Sequence, residues 1–162
     1  MNLKQNFIIV AACLISCTGQ AYAAGIDIGK SITIGSGSKT VFEFTDPDCP
    51  FCRKASTYFD GRKDVTRHIF FYPLPQHPKA KAKAQYVLSQ SDPAKAYHDV
   101  MSGRMDTAQT FAATPKGIKL QQEQHEIAKK SKVDSTPTFI INGRIIDGFD
   151  LKKIEEALGP KP

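Results

Sequence analysis

The 162-residue chain predicts an α/β domain with a central mixed sheet flanked by helices, and three features carry that expectation. A strand-like segment rich in β-branched and aromatic residues, Thr40 to Thr45, runs directly into Asp46-Pro47-Asp48-Cys49-Pro50. Pro50 suits the first turn of a helix, where its missing N–H would be unpaired in any case. The apolar run Val65 to Tyr72, bounded by charge and by Pro73 and Pro75, reads as a buried strand, and the order strand, helix, strand implies a parallel crossover. Near the C-terminus, Thr138 to Ile141 and Arg144 to Asp147 flank Asn142-Gly143, the favoured two-residue hairpin turn.

The elements follow in order. A short positive stretch with Lys4, an apolar run from Phe7 to about Ser16 and the small-residue end Ala21-Tyr22-Ala23 read as a secretory signal at 1–23, cut after Ala23. The run is shorter than the roughly 20 residues of an ordinary transmembrane helix. A second processing route competes, because Leu14-Ile15-Ser16-Cys17 resembles the lipobox of bacterial lipoproteins and would place a lipid anchor at Cys17. Either route removes Cys13, and cleavage after Ala23 leaves Cys49 and Cys52 as the only thiols. Residues 24–39 form a short leader and first strand, in which Ser31 to Ile34, the Gly35-Ser36-Gly37-Ser38 turn and Thr40 to Thr45 read as a hairpin.

Residues 40–160 then make the main domain. Phe51, Ala55, Tyr58 and Phe59 recur at helical spacing until Gly61. A helical insertion occupies about 78–132: Ala80, Ala84, Val87 and Leu88 form one stripe, and Asp92-Pro93 opens a second through Ala94, Tyr97 and Met101 that Gly103 ends. Met105 to Gly117 carries no clear pattern, Ile118 to Lys130 is an amphipathic helix, and Asp150 caps a closing helix through Leu151, Ile154, Ala157 and Leu158.

Hydrophobic residues make up 41 % of the chain and charged ones 23 %, a globular composition that excludes a disordered or fibrous protein. The formal net charge is +6, but basic residues are scattered among acidic ones. Lys79, Lys81 and Lys83, interleaved with alanines, read as a solvated helix face, so no nucleic-acid partner is expected.

Cys49 and Cys52 carry the chemistry. Export places them where disulfides form and persist. Two residues three apart in a helical first turn meet the geometric demands of a disulfide. The positive end of the helix favours a thiolate at Cys49, the attacking form, while Cys52, one turn inside, suits the resolving thiol that breaks a mixed disulfide. No metal is expected, because His68, His77, His98 and His125 show no ligand spacing to the cysteines. A passive disulfide this close in sequence would restrict the unfolded chain little. Arg53 after Cys52 rules out covalent haem attachment. No cofactor is therefore expected.

Phe44-Thr45-Asp46-Pro47-Asp48-Cys49-Pro50-Phe51-Cys52, together with Ser135-Thr136-Pro137-Thr138 leading into an apolar strand, resembles the thioredoxin superfamily. The long insertion and Tyr97-His98-Asp99-Val100-Met101-Ser102-Gly103 resemble the DsbC/DsbG branch of bacterial periplasmic disulfide isomerases. The resemblance implies a thioredoxin-like fold and a redox pair Cys49/Cys52. It also implies a cis proline at Pro137 packed against that pair, with Thr136 offering backbone groups to an extended substrate beside Pro50 and Phe51. It further implies that Glu43, six positions before Cys49, lies beneath the disulfide and takes the proton of the resolving thiol, a role that burial would favour. Strongly oxidising relatives carry a histidine where this chain has Phe51, which cannot donate to a thiolate, so a less depressed Cys49 pKa is expected here.

Relatives of that branch carry an N-terminal dimerisation domain, whereas only about residues 24–38 precede the core strand here, so a single catalytic domain is expected. The implied activity is reduction or isomerisation of disulfides in cysteine-containing exported clients, in the periplasm, with a membrane redox partner. Two alternatives stand beside it: a DsbA-like dithiol oxidase for a dedicated client, and a non-enzymatic assembly or binding factor on the same fold.

Overall fold

The computed structural model describes residues 25–162, and the signal segment and Cys17 lie outside the described residues. A 3-10 turn at Ile28–Lys30, capped by the Asp27 carboxylate accepting from the Gly29 N–H, leads into β1 (Ile32–Ile34). Then follow β2 (Lys39–Thr45), α1 (Pro50–Asp60), β3 (Val65–Phe71), α2 (Ala80–Val87), α3 (Pro93–Met101), α4 (Pro115–Lys130), β4 (Thr138–Ile141), β5 (Arg144–Asp147) and α5 (Leu151–Leu158). The strands form one mixed sheet in the order β1-β3-β2-β4-β5.

The N-terminal hairpin expected from the sequence does not form. β1 pairs antiparallel with β3, Ile32 opposite Ile69 and Ile34 opposite Arg67, while β2 lies on the other side of β3 and runs parallel to it. β1 and β2 thus run in opposite directions as in a hairpin, with β3 inserted between them. The Gly35–Ser38 link is a crossing over the start of β3. Lys39 N–H donates to the Asp64 carbonyl at 3.0 Å and the Thr66 hydroxyl to the Gly37 carbonyl at 2.7 Å. A Cβ at Gly37 would fall 1.9 Å from the Asp64 carbonyl carbon, so glycine is needed for the close approach. The physical reason lies in β2: Val41 and Phe44 are buried on opposite faces, and its edges are taken by β3 and β4.

Alternation along β2 builds two cores. Val41 packs with Ala55 and Phe59 of α1, with Phe139 and Ile141 of β4 and with Ile154 and Leu158 of α5. Phe44 stacks on Phe70 at 5.4 Å between ring centroids and meets Ile140, Ala128 and Val133 on the face that α4 covers. A third cluster joins Cys49 and Cys52 to Ile69, Phe71, Ala84, Val87, Tyr97 and Val100, so the cysteine pair sits at the meeting of α1, α2 and α3.

Other expectations from the sequence are met locally. The 142–143 turn joins β4 to β5 with both residues at positive φ, and Asp150 caps α5 by accepting from the Lys153 N–H. α4 starts three residues earlier than the Ile118 expected, because Thr114 caps it by accepting from the Gly117 N–H and Pro115 fills the first position. One expectation is corrected: Lys83 does not join Lys79 and Lys81 on a solvated face, but is buried with only 3 % of its side chain exposed, against carboxylates described below.

Candidate active site

α1 positions the two sulfurs. Cys49 is its N-cap, in extended backbone, and Pro50 follows at the first helical position. No side chain caps this helix, so its free N–H groups face the Cys49 sulfur. Cys52 lies one turn inside and is fully buried, and both cysteines are free thiols. Pro50 and Phe51 stand outward, Phe51 with 56 % of its surface exposed beside the pair.

The loop before β4 closes the other side. The Thr136–Pro137 peptide is cis, and the Cys49 thiol donates to the Thr136 carbonyl at 3.5 Å. The Thr136 hydroxyl is buried and has no hydrogen-bond partner among the described residues. Pro137 is buried.

This arrangement splits the two thiols. The Cys49 thiol is lowered to about 6, chiefly because its thiolate accepts a hydrogen bond from Cys52; burial opposes this, and the N–H groups of Cys52 and Phe51 and the Thr136 hydroxyl add to it. That value lies between the roughly 8.5 of a free thiol and the roughly 3.5 of the strongly oxidising DsbA. The Cys52 thiol is pushed strongly upward, first by burial and then by its neighbour Cys49; the Asp46 N–H, 3.4 Å from its sulfur, opposes the rise only in part.

Glu43 is fully buried on the face of β2 that α1 covers, two residues before Thr45. Its oxygens accept from Arg67 Nη1 at 3.2 Å and from the Tyr97 hydroxyl at 3.1 Å. Arg67 also reaches Asp60 at 3.0 Å and lies over the rings of Phe59 and Tyr97. The carboxylate is thus charge-compensated under α1, with no hydrogen bond to either sulfur among those described.

Several residues escaped sequence reasoning. The buried Asp46 accepts from the Asp48 N–H and the Leu74 N–H, each at 2.7 Å, and meets His77 Nδ1 at 2.9 Å, which ties the Cys49 turn to the chain after β3. Asp46-Pro47 was the available signal, since aspartate before proline favours a turn held by its own side chain. Tyr97 was legible as a helix-stripe residue, but nothing signalled that it and Arg67 meet Glu43, because that meeting depends on tertiary packing alone.

A thioredoxin-like domain family model matches residues 30–154. The chain belongs to this thioredoxin-like family. A probable thiol:disulfide interchange protein DsbC of Bordetella pertussis is 27 % identical over 137 residues, covering 82 % of this chain and 46 % of that protein. The chain therefore spans about half the length of the Bordetella relatives it matches. Among solved structures, a disulfide interchange protein from Neisseria gonorrhoeae superposes with a TM-score of 0.69 at 28 % identity, over 82 % of this chain and 98 % of that one. The catalytic domain of Proteus mirabilis ScsC shares the fold, with a TM-score of 0.60 at 23 % identity over 80 % and 87 % of the two chains. Among the residues that the sequence singles out, the described contacts join Cys49 to Cys52, Phe51 and Thr136, while Glu43 has none to either sulfur. No helix among the described residues is long and apolar enough to cross a membrane.

Proposed function

We propose that this chain is an exported thiol:disulfide oxidoreductase that reduces or isomerises disulfides in periplasmic client proteins. One observation carries the reading: a thiol lowered to about 6, capping a helix and reaching the carbonyl beside a buried proline, stands next to a buried partner thiol that holds its proton. The Cys49 thiolate attacks one sulfur of a client disulfide; the S–S bond breaks, a mixed disulfide forms and one client thiolate leaves. For reduction, Cys52 loses its proton and attacks the Cys49 sulfur, giving the Cys49–Cys52 disulfide and releasing the second client thiolate. For isomerisation, a client thiolate attacks the mixed disulfide instead and returns Cys49 as thiolate, with no net electron transfer.

Exposed Pro50 and Phe51 and the backbone of Thr136 and Pro137 receive the client chain in this scheme. Glu43 accepts the Cys52 proton at resolution, supported by its burial on the same strand face as Thr45, the residue beside Cys52. A membrane redox partner resets the pair. Lipid attachment at Cys17 would tether the enzyme beside that partner.

Trapping tests the scheme. Cys52→Ala should accumulate mixed disulfides with clients and with the redox partner, and Cys49→Ser should abolish both trapping and activity. Full function of Cys49→Ser would instead make the chain a binding factor on the same fold. The oxidase alternative predicts a pair held as a disulfide in cells, the reductase or isomerase reading a pair held as dithiol. For Glu43, Glu43→Gln should slow resolution and alter its pH profile; an unchanged profile removes the role.

A further inference from the structure

The turn that delivers Cys49 is clamped by four charged side chains that the redox scheme does not use. Asp48, the residue before Cys49, meets Lys83 Nζ at 2.5 Å and Arg53 Nη2 at 3.3 Å. Asp106, from the segment between α3 and α4, meets the same two cations: Lys83 Nζ at 2.6 Å, and both terminal nitrogens of Arg53 at 2.6 and 2.7 Å. Arg53 also donates from Nε to the Pro47 carbonyl at 2.8 Å. The quartet thus ties Pro47 and Asp48, just before Cys49, to Arg53 in the first turns of α1. Two cations and two carboxylates make its sum neutral. Lys83 is almost fully buried, and both of its ion-pair partners belong to the quartet.

The structure assigns to Asp106 the role of positioning residue for the redox pair: by neutralising Arg53 and Lys83 it holds the Asp46–Cys49 turn and sets the net charge that the Cys49 sulfur experiences. The assignment rests on the redox reading of Cys49 and Cys52 and deepens it. The Asp106 carboxyl is held well below the usual carboxylate range by Arg53 first and by Lys83 as well, so it stays charged wherever the enzyme would work. Asp106 comes from a segment more than fifty residues from the cysteines, so the potential of the pair can be tuned without altering any residue next to a sulfur.

The sign follows from Coulomb's law. Asp106→Asn preserves shape but leaves the quartet at +1 beside Cys49, which stabilises the thiolate and hence the dithiol form. Lys83→Met leaves it at −1 and does the reverse. The equilibrium is balanced as dithiol protein plus one glutathione disulfide giving protein disulfide plus two glutathione thiols.

The test measures that constant and the pH dependence of Cys49 alkylation on the full chain. Asp106→Asn should lower the constant by about threefold or more and shift alkylation to lower pH, and Lys83→Met should move both the other way. The Asp106→Asn/Lys83→Met double variant should return towards wild type, as should Asp106→Glu, and added salt should shrink the differences. A merely structural clamp would give shifts of one sign in both single variants, or lower only the unfolding midpoint. Either result, with a wild type that cycles normally, overturns the assignment. A wild type that forms no intramolecular disulfide with glutathione overturns the redox reading instead, and this assignment with it.

Discussion

The rim and the floor of the redox helix both hold ion pairs, yet they answer to different physics. At the rim, Asp48, Lys83, Asp106 and Arg53 form a cluster whose Asp106 side chain is 42 % exposed, so water and salt screen part of the interactions Asp106 makes. On the floor, Glu43 and Arg67 meet with 0 % and 3 % of their side chains exposed, and Tyr97 completes the set from full burial. The rim is redundant: when Asp106 is lost, its buried Lys83 still keeps Asp48. The floor cannot lose one member without stranding another in a dry site.

Arg67→Met should show the largest effect. It would leave Glu43 buried with only the Tyr97 hydroxyl, and breaking one side of a buried pair costs about 3–5 kcal/mol. Urea unfolding should register that loss. Glu43→Gln/Arg67→Met should cost less than the sum of the single variants, because no charge is then stranded. Additive losses would mean that the pair carries no coupling, and the floor would then be no different from the rim.

That contrast also explains what the sequence made legible. Cys49-Pro50-Phe51-Cys52, Thr136-Pro137 and Asn142-Gly143 are local signals, in which spacing and turn chemistry decide the geometry within a few residues. The helical stripes of α1, α3 and α5 were legible for the same reason. The pairing of β1 was not, because a glycine-rich link between two strand-like segments reads as a hairpin whether or not a third strand is later inserted. Nor was the burial of Lys83: in Ala80-Lys81-Ala82-Lys83-Ala84 the lysines look alike, and only the arrival of Asp48 and Asp106 from elsewhere sets one apart. Glu43 could be named from its place before Cys49, but its partners Arg67 and Tyr97 come from β3 and α3.

A middle-sized effect should appear as a pH dependence confined to the reduced protein. Cys49 is lowered to about 6 in the folded state, against roughly 8.5 for a free thiol in the unfolded chain. A depressed acid contributes stability that is fully present above the unfolded value and is lost as pH falls through the folded one. Reduced protein should therefore gain stability relative to the disulfide form as pH rises from about 6 to about 8.5, and alkylation of Cys49 should follow a midpoint near the lower value. Burial of Cys49 works against the charged sulfur and keeps the gain modest. Parallel stability profiles for the two redox forms would remove the link between the helix terminus and the thiolate.

The smallest effect separates Thr136's hydroxyl from its backbone. The carbonyl accepts from the Cys49 thiol, while the buried hydroxyl has no partner among the described residues until a thiolate forms to receive it. Thr136→Val keeps the branched shape and the carbonyl but deletes that donor. The folded protein should lose little, since an unpartnered buried hydroxyl contributes no hydrogen bond to stability. The Cys49 midpoint should rise by a few tenths of a pH unit, because only the charged sulfur used the group. A fall in unfolding midpoint with no change in the alkylation profile would assign the hydroxyl to the fold. The site would then hold its thiolate through Cys52 and the backbone of α1 alone.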